Sequence, residues 1–147
     1  MASVPNGPYA IARLGENLLT LEGGSSRPGS PVVILPPTGN PGEQEWALQA
    51  LDNGSYTIRN LTSGTYLGFE GDPYVNKPIA GYPDPREWSL YPSPEASAFH
   101  IVVPGGPVDG EELAVDFSLL RIFPPRSALR PLDAGIPGQA WTFQPIE

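Results

Sequence analysis

The three tryptophans of the chain stand at the same place in three copies of one sequence unit. Residues 53–58 (NGSYTI) repeat residues 6–11 (NGPYAI), and residues 98–101 (AFHI) give a weaker third copy. Each copy is followed by two further apolar stretches, and each unit then ends on a tryptophan. These tryptophans are Trp46, Trp88 and Trp141. Because self-similarity at a fixed period marks repeat architectures, the fold is expected to be one that three similar units build together.

Within each unit, apolar residues alternate with small or polar ones, as they do in half-buried β-strands. The longest segment free of proline and glycine is residues 111–123, so a helix bundle has no room for its helices. Turn residues recur about every 8 to 12 residues, which is typical of an all-β chain. The third strand of each unit is expected at residues 31–34, at residues 77–80, and at either residues 120–123 or residues 130–132.

Four strands in each of three units, with a tryptophan in the last strand of each, predict an all-β fold of the β-trefoil type with twelve strands. In that fold a six-stranded barrel is closed at one end by a triangle of hairpins. One unit cannot bury its apolar face alone, whereas three units around a pseudo-threefold axis can. We expect a single domain over residues 1–147, with repeats at about residues 1–51, 52–95 and 96–147. A β-propeller is excluded because three blades are too few.

The charge and composition exclude several classes of partner. Sixteen acidic and eight basic residues give a formal net charge of −8, which repels nucleic acids and anionic membrane surfaces. The chain has no cysteine and one histidine, which leaves no ligand set for a thiolate or multi-histidine metal site, and no cofactor is expected. No basic and apolar leader stands at the N-terminus, so we expect the protein to be cytoplasmic. We also expect it to be a monomer.

No catalytic constellation stands out in the sequence. The residues considered for catalysis have no evident nucleophile, base or metal partner beside them: Asp84, Glu87, His100, Glu111, Glu112 and Asp116. Alternation along its strand places Asp116 on the outer face, and solvated or structural side chains account for the others. The chain is therefore not expected to be an enzyme.

Two of the three tryptophan segments carry a known signature. Residues 44–46 (QEW) and 139–141 (QAW) resemble the Gln-x-Trp motif of ricin-B-type lectins, and residues 86–88 (REW) have arginine in the glutamine position. The resemblance implies that the tryptophan is a core residue and that the glutamine supports the backbone. It also implies that a sugar site would need an Asp and an exposed aromatic ring. Asp72 with Tyr74 or Tyr82 meets that need, so carbohydrate binding is the alternative function.

A second resemblance covers the whole chain. It is carried by residues 6–9, residues 53–58, a hairpin that ends at residues 70–71, a terminal Trp-Thr-Phe, the absence of cysteine and the acidic charge. In these features the chain is similar to the mushroom β-trefoil serine protease inhibitors often called mycospins. The resemblance implies reversible, substrate-like inhibition of a trypsin-like peptidase by an exposed loop, which differs between members. Serine peptidase inhibition is therefore the main functional prediction. Inhibition of another peptidase class is an alternative beside carbohydrate binding, and a structural or storage role without either activity is the third hypothesis.

Trypsin-like enzymes hold an Arg or Lys of their ligand in an acidic pocket. Among seven Arg and one Lys, Arg126 is the one that is predicted to lie in a loop without a proline after it. Prolines at 124, 125 and 131 limit the freedom of this segment and so reduce the entropy lost on docking. We predict that residues 124–131 form the reactive loop and contact the peptidase through Pro125, Arg126 and Ser127.

Residues 22–31 are the second candidate for the reactive loop. This segment is long and rich in glycine and serine, and its contact residues would be Ser26, Arg27 and Pro28. Arg27 ranks behind Arg126 because the bond that follows it leads to proline, whose amide lacks an N–H.

Overall fold

The computed structural model describes residues 4–13, 17–93, 98–107, 110–119, 125–133 and 139–146. The strands within these ranges are β1 (Gly7–Arg13), β2 (Asn17–Leu21), β3 (Ser30–Leu35), β4 (Trp46–Ala50), β5 (Tyr56–Asn60), β6 (Tyr66–Gly68), β7 (Ala80–Tyr82), β8 (Ser89–Pro92), β9 (Ala98–Val102), β10 (Leu113–Phe117), β11 (Ser127–Pro131) and β12 (Trp141–Pro145). Two single-turn 3-10 helices, Glu22–Gly24 and Pro41–Glu43, complete the regular structure of the described ranges. None of the helices in this part of the chain is long and apolar enough to cross a membrane.

Six of the strands close into a barrel. The antiparallel neighbours are β1 and β4, β4 and β5, β8 and β9, β9 and β12, and β12 and β1. The remaining gap, between β5 and β8, is closed by a bridge between Tyr56 and Trp88. The two residues exchange both backbone N–H···O bonds at 2.8 Å, so the ring of strands is complete.

The other six strands form three hairpins that cover one end of the barrel: β2–β3, β6–β7 and β10–β11. Strand β3 pairs with β7, Val33 forms a bridge with Arg126, and Pro78 forms a bridge with Ala128. Each hairpin is thus joined to the other two by backbone hydrogen bonds. The barrel and this triangular cap confirm the predicted β-trefoil.

The three tryptophans lie in the core and are each 0% exposed. Each indole N–H donates a hydrogen bond to a backbone carbonyl of the second strand in its own repeat. The bonds run from Trp46 to Leu19 (3.0 Å), from Trp88 to Leu67 (2.9 Å) and from Trp141 to Val115 (3.0 Å). The tryptophan therefore links the end of each repeat to its hairpin, as the structural interpretation of the motif predicts.

Two of the predicted third strands differ from the structure. Strand β7 begins at Ala80, and the preceding Pro78 forms only an isolated bridge, because proline has no N–H to give to a ladder. In the third repeat, β11 covers Ser127–Pro131 and overlaps the alternative at residues 130–132. The other alternative, residues 120–123, lies outside the described residues.

Replacing Trp88 by alanine should destabilise the protein by about 3–5 kcal/mol, because the change removes a large core side chain. The free energy of unfolding can be measured by urea denaturation followed by circular dichroism. Leu61→Ala is the control, because Leu61 is exposed and its loss should cost less than about 0.5 kcal/mol. A loss below about 1 kcal/mol for Trp88→Ala would contradict its place in the core.

Candidate functional site

In the first repeat the glutamine of the tryptophan motif connects the end of the repeat to the hairpin. The Gln44 side chain is buried, and its Nε2 donates to Thr20 Oγ1 (3.1 Å) and to the Pro36 carbonyl (3.0 Å). Its Oε1 accepts a hydrogen bond from the Thr38 backbone N–H (3.1 Å). One amide group therefore joins β2 to the loop after β3.

The third repeat uses the same arrangement. Gln139 Nε2 donates to Asp116 Oδ2 (3.1 Å) and to the Pro131 carbonyl (2.9 Å), while Oε1 accepts from the Asp133 N–H (2.8 Å). Asp116 thus stands where Thr20 stands in the first repeat. Both glutamines fill the space between the second strand and the chain segment that leaves the hairpin.

Alternation along β10 predicts that Asp116 is a solvated charge on the outer face. The structure shows that this prediction is wrong. The Asp116 side chain is 16% exposed and forms an ion pair with the buried Arg13 of β1. The Arg13 guanidinium also lies 4.5 Å from the ring centroid of Phe117 and 5.5 Å from that of Trp141. The charge of Asp116 is therefore compensated by a residue from another repeat.

The second repeat lacks this glutamine, and it also lacks the polar side chain to which the glutamine bonds in the other two repeats. Arg86 takes the glutamine position, and Gly68 of β6 takes the position of Thr20 and Asp116. The Arg86 guanidinium lies 3.9 Å from the ring centroid of Phe69, and its Nη2 donates to the Gly71 carbonyl (3.4 Å). A Cβ atom at Gly68 would lie 3.4 Å from Arg86 Cβ, so glycine leaves room for the arginine stem.

These two changes leave a cleft of about 160 Å³ beside the β6–β7 hairpin, which we name the second-repeat cleft. Its lining residues are Gly68, Phe69, Glu70, Gly71, Tyr82, Asp84, Pro85 and Arg86. Burial raises the pKa of Tyr82 above its ordinary value, the nearby Glu70 carboxylate raises it further, and Arg86 opposes the shift. The phenol is therefore uncharged at neutral pH and can both donate and accept a hydrogen bond.

A wider depression of about 370 Å³ adjoins the second-repeat cleft. The two share Phe69, Pro85 and Arg86, and the depression continues along Glu87 and Val103. Arg86 therefore stands between two connected concave surfaces.

The sugar-site residues expected from the sequence are only partly brought together. Tyr82 lines the second-repeat cleft, whereas Asp72 and Tyr74 are exposed in the connection between β6 and β7. The Lys77 ammonium lies 4.4 Å from the Tyr74 ring centroid. Asp84, which the sequence predicts to be a solvated charge, is exposed and also lines the cleft with Tyr82. The loss of glutamine at Arg86 was the available signal for this site.

Residues 125–131 do not form the predicted exposed loop, since Ser127–Pro131 is strand β11, and Pro124 lies outside the described residues. Pro125 accepts a backbone hydrogen bond from Ile34 (2.9 Å), Arg126 bridges Val33, and Ser127 is buried at the start of β11. The Ser127 hydroxyl also donates to the Val32 carbonyl (2.6 Å). These backbone groups join the hairpins of the cap. A peptidase contact through the Arg126 side chain stays a prediction.

The second candidate loop is exposed as expected. Ser26, Arg27 and Pro28 all lie on the surface between β2 and β3. The Arg27 N–H donates to Ser25 Oγ (3.1 Å), and the Arg27 carbonyl accepts from the N–H (3.2 Å) and hydroxyl (2.7 Å) of Ser30. Internal hydrogen bonds therefore hold the backbone on both sides of the Arg27 side chain.

His100 is buried within β9, and no group of three His, Asp or Glu side chains in the described ranges is placed to hold a metal ion.

No protein-family model matches the chain, and no curated protein matches it. Several solved structures share its fold. The Rhizoctonia solani agglutinin is 19% identical, with a TM-score of 0.82 and coverage of 99% of both chains. A Macrolepiota procera ricin B-like lectin in complex with lactose is 24% identical, with a TM-score of 0.79 and coverage of 99% of this chain and 100% of that one. ThreeFoil, a designed threefold symmetric protein, is 18% identical, with a TM-score of 0.80 and coverage of 95% and 99%. These likenesses establish the β-trefoil fold, and membership of the mushroom inhibitor family stays a prediction.

Proposed function

We propose that this protein binds carbohydrate in the second-repeat cleft. The observation that carries the proposal is the absence of the glutamine connection in the second repeat, where Arg86 and Gly68 leave a concave surface. This surface combines two aromatic rings, two carboxylates and a guanidinium. Sugar rings have an apolar face that packs on aromatic rings and hydroxyls that need donors and acceptors, so the lining fits this ligand class.

The polar groups of the cleft have separate roles in this proposal. The Tyr82 ring packs against the sugar, and its uncharged hydroxyl donates or accepts a hydrogen bond. The Glu70 and Asp84 carboxylates accept hydrogen bonds from sugar hydroxyls. Arg86 donates, and its contacts with Phe69 and Gly71 fix its position before the ligand arrives. A side chain held in place in advance loses less entropy on binding.

The dimensions favour a ligand of more than one sugar unit. At about 160 Å³ the second-repeat cleft is smaller than the ~300–1,000 Å³ of sites for drug-sized ligands, which suits a single ring. The adjoining depression beyond Arg86 offers room for the next unit. That the Macrolepiota procera lectin is solved with lactose supports carbohydrate as the ligand class.

A glycan array probed with the labelled full chain tests this proposal. We expect binding to at least one oligosaccharide, and Tyr82→Ala should weaken it by about tenfold or more because an aromatic anchor is lost. Tyr74→Ala is the matched control, since Tyr74 lies outside the cleft, and it should change binding by less than about twofold. Loss of binding in the Tyr74 variant but not in the Tyr82 variant would contradict the proposed site.

Trypsin inhibition through Arg27 is the second candidate function. The observation that favours it is the exposed segment around Arg27, whose backbone is held by hydrogen bonds to Ser25 and Ser30. A stiff loop that presents one arginine is what a substrate-like inhibitor requires. Arg126 is less suited, because its backbone is already engaged in the cap.

Arg27→Glu should weaken inhibition of trypsin by roughly 30-fold or more, because it replaces an attractive charge pair in the enzyme pocket with a repulsive one. Inhibition can be measured by titrating trypsin with the full chain against a chromogenic substrate. Arg126→Glu is the comparison, and it should stay within about threefold of the unmodified protein if its melting curve shows that it is folded. The reverse ranking would restore Arg126 as the reactive residue, and an unmodified chain that leaves trypsin fully active would exclude this candidate.

A further inference from the structure

A second cleft lies in the cap, away from the sugar site proposed above. It is lined by Asn76, Pro78, Ser118, Leu119, Arg126 and Ser127 and has a volume of about 230 Å³. We name it the cap cleft. It shares no lining residue with the second-repeat cleft.

Arg126 supplies the charge of the cap cleft. Its side chain is partly buried, and its Nε is fully buried without a hydrogen-bond partner. The structure records no ion pair between Arg126 and any described residue, whereas Arg13, whose Nε also lacks a hydrogen-bond partner, pairs with Asp116 through its Nη1. A buried donor atom without a partner is costly, and no described carboxylate pairs with this half-buried guanidinium, so an anion in the cleft would supply the missing partner.

Apolar residues form another part of the wall. Leu119 is 65% exposed, which is the highest value among the large hydrophobic side chains that the structure describes as exposed. Pro78 is also exposed and lines the same cleft. The cleft therefore offers both a guanidinium and an apolar surface, which together suit a ligand with a charged end and an apolar body.

Asn76 forms the wall of the cap cleft opposite β11, and hydrogen bonds hold it in a defined conformation. Asn76 has a φ of 72°, in the left-handed region that residues other than glycine seldom adopt. Its backbone N–H donates to the Leu129 carbonyl (2.7 Å), and its Oδ1 accepts from Arg130 (2.6 Å). Because these bonds fix the wall before any ligand arrives, binding costs little reorganisation.

We propose that the cap cleft binds a small carboxylate with an apolar body. The carboxylate pairs with the Arg126 guanidinium, and the apolar body packs on Leu119 and Pro78. Lys77 and Arg130, at the Asn76 wall, make this region cationic in a chain whose net charge is −8. The volume is below the ~300–1,000 Å³ range of drug-sized sites, which limits the bound part to a short chain or a single side chain. A fatty acid and the C-terminal carboxylate of a peptide share this chemistry.

The test is an NMR titration of the ¹⁵N-labelled full chain with sodium hexanoate. We expect saturable shifts of the Asn76, Ser118 and Ser127 amides. Hexanol, which has the same chain without the charge, should bind about tenfold more weakly or worse. Titration with N-acetyl-leucine distinguishes the two sources: tighter binding than hexanoate indicates a peptide C-terminus, and weaker binding indicates a fatty acid. The absence of saturable shifts at these amides with both carboxylates, or equal affinity for hexanol, would overturn the proposal.

Two variants test the residues. Arg126→Gln should lower hexanoate affinity by about tenfold or more, and Arg59→Gln, at an exposed residue of β5, should leave it unchanged. Leu119→Glu places a negative charge in the cleft, which repels the carboxylate of the ligand and should abolish binding. Leu119 is exposed, so the fold does not depend on its side chain. If Arg126→Gln does not fold, Leu119→Glu decides the question. Unchanged hexanoate affinity in a folded variant of either residue would refute the proposal.

Discussion

The hydrogen bond from each buried indole N–H to a carbonyl of the second strand is the contact on which the rest of the structure depends. It occurs three times, at 2.9–3.0 Å, and each time it joins the last segment of a repeat to the hairpin of the same repeat. The acceptors are Leu19, Leu67 and Val115. In each repeat, the residue that follows the acceptor lies opposite the residue two positions before the tryptophan. The resulting pairs are Thr20 and Gln44, Gly68 and Arg86, and Asp116 and Gln139. Barrel and cap are therefore held in one register, and the pair of residues at this point can vary.

The identity of this residue pair makes the second repeat different from the first and third. With glutamine, one amide bonds to both the second strand and the segment that leaves the hairpin, and so joins them directly. With Arg86, a planar cation lies over Phe69, a glycine stands opposite it, and a cleft lies beside the hairpin. The tryptophan bond is retained in the second repeat, so the change affects the surface without loss of the core contact. This separation of fold from surface chemistry is what allows one repeat to supply the proposed site.

The repeats, the strand number and the core tryptophans were predictable because these signals are local: alternation within a strand and similarity between units. The cap was not predictable in the same way. Arg126 lies beside prolines, which indicates a loop, yet its bridge to Val33 depends on a pairing between distant parts of the chain. Alternation places Asp116 on the outer face for a similar reason, because its partner Arg13 is 103 residues away in the chain. Arg86 was visible in the sequence as a departure from glutamine, but its relation to Gly68 and Tyr82 needed the strand register.

The most direct test of the account is to restore the first-repeat pair in the second repeat by the double substitution Gly68→Thr and Arg86→Gln. The account predicts that the variant stays as stable as the unmodified protein in thermal unfolding, since the glutamine connection is rebuilt, and that it no longer binds any oligosaccharide on the array. A folded double variant that binds the same oligosaccharides as the unmodified protein would contradict the claim that the second-repeat cleft is the binding site.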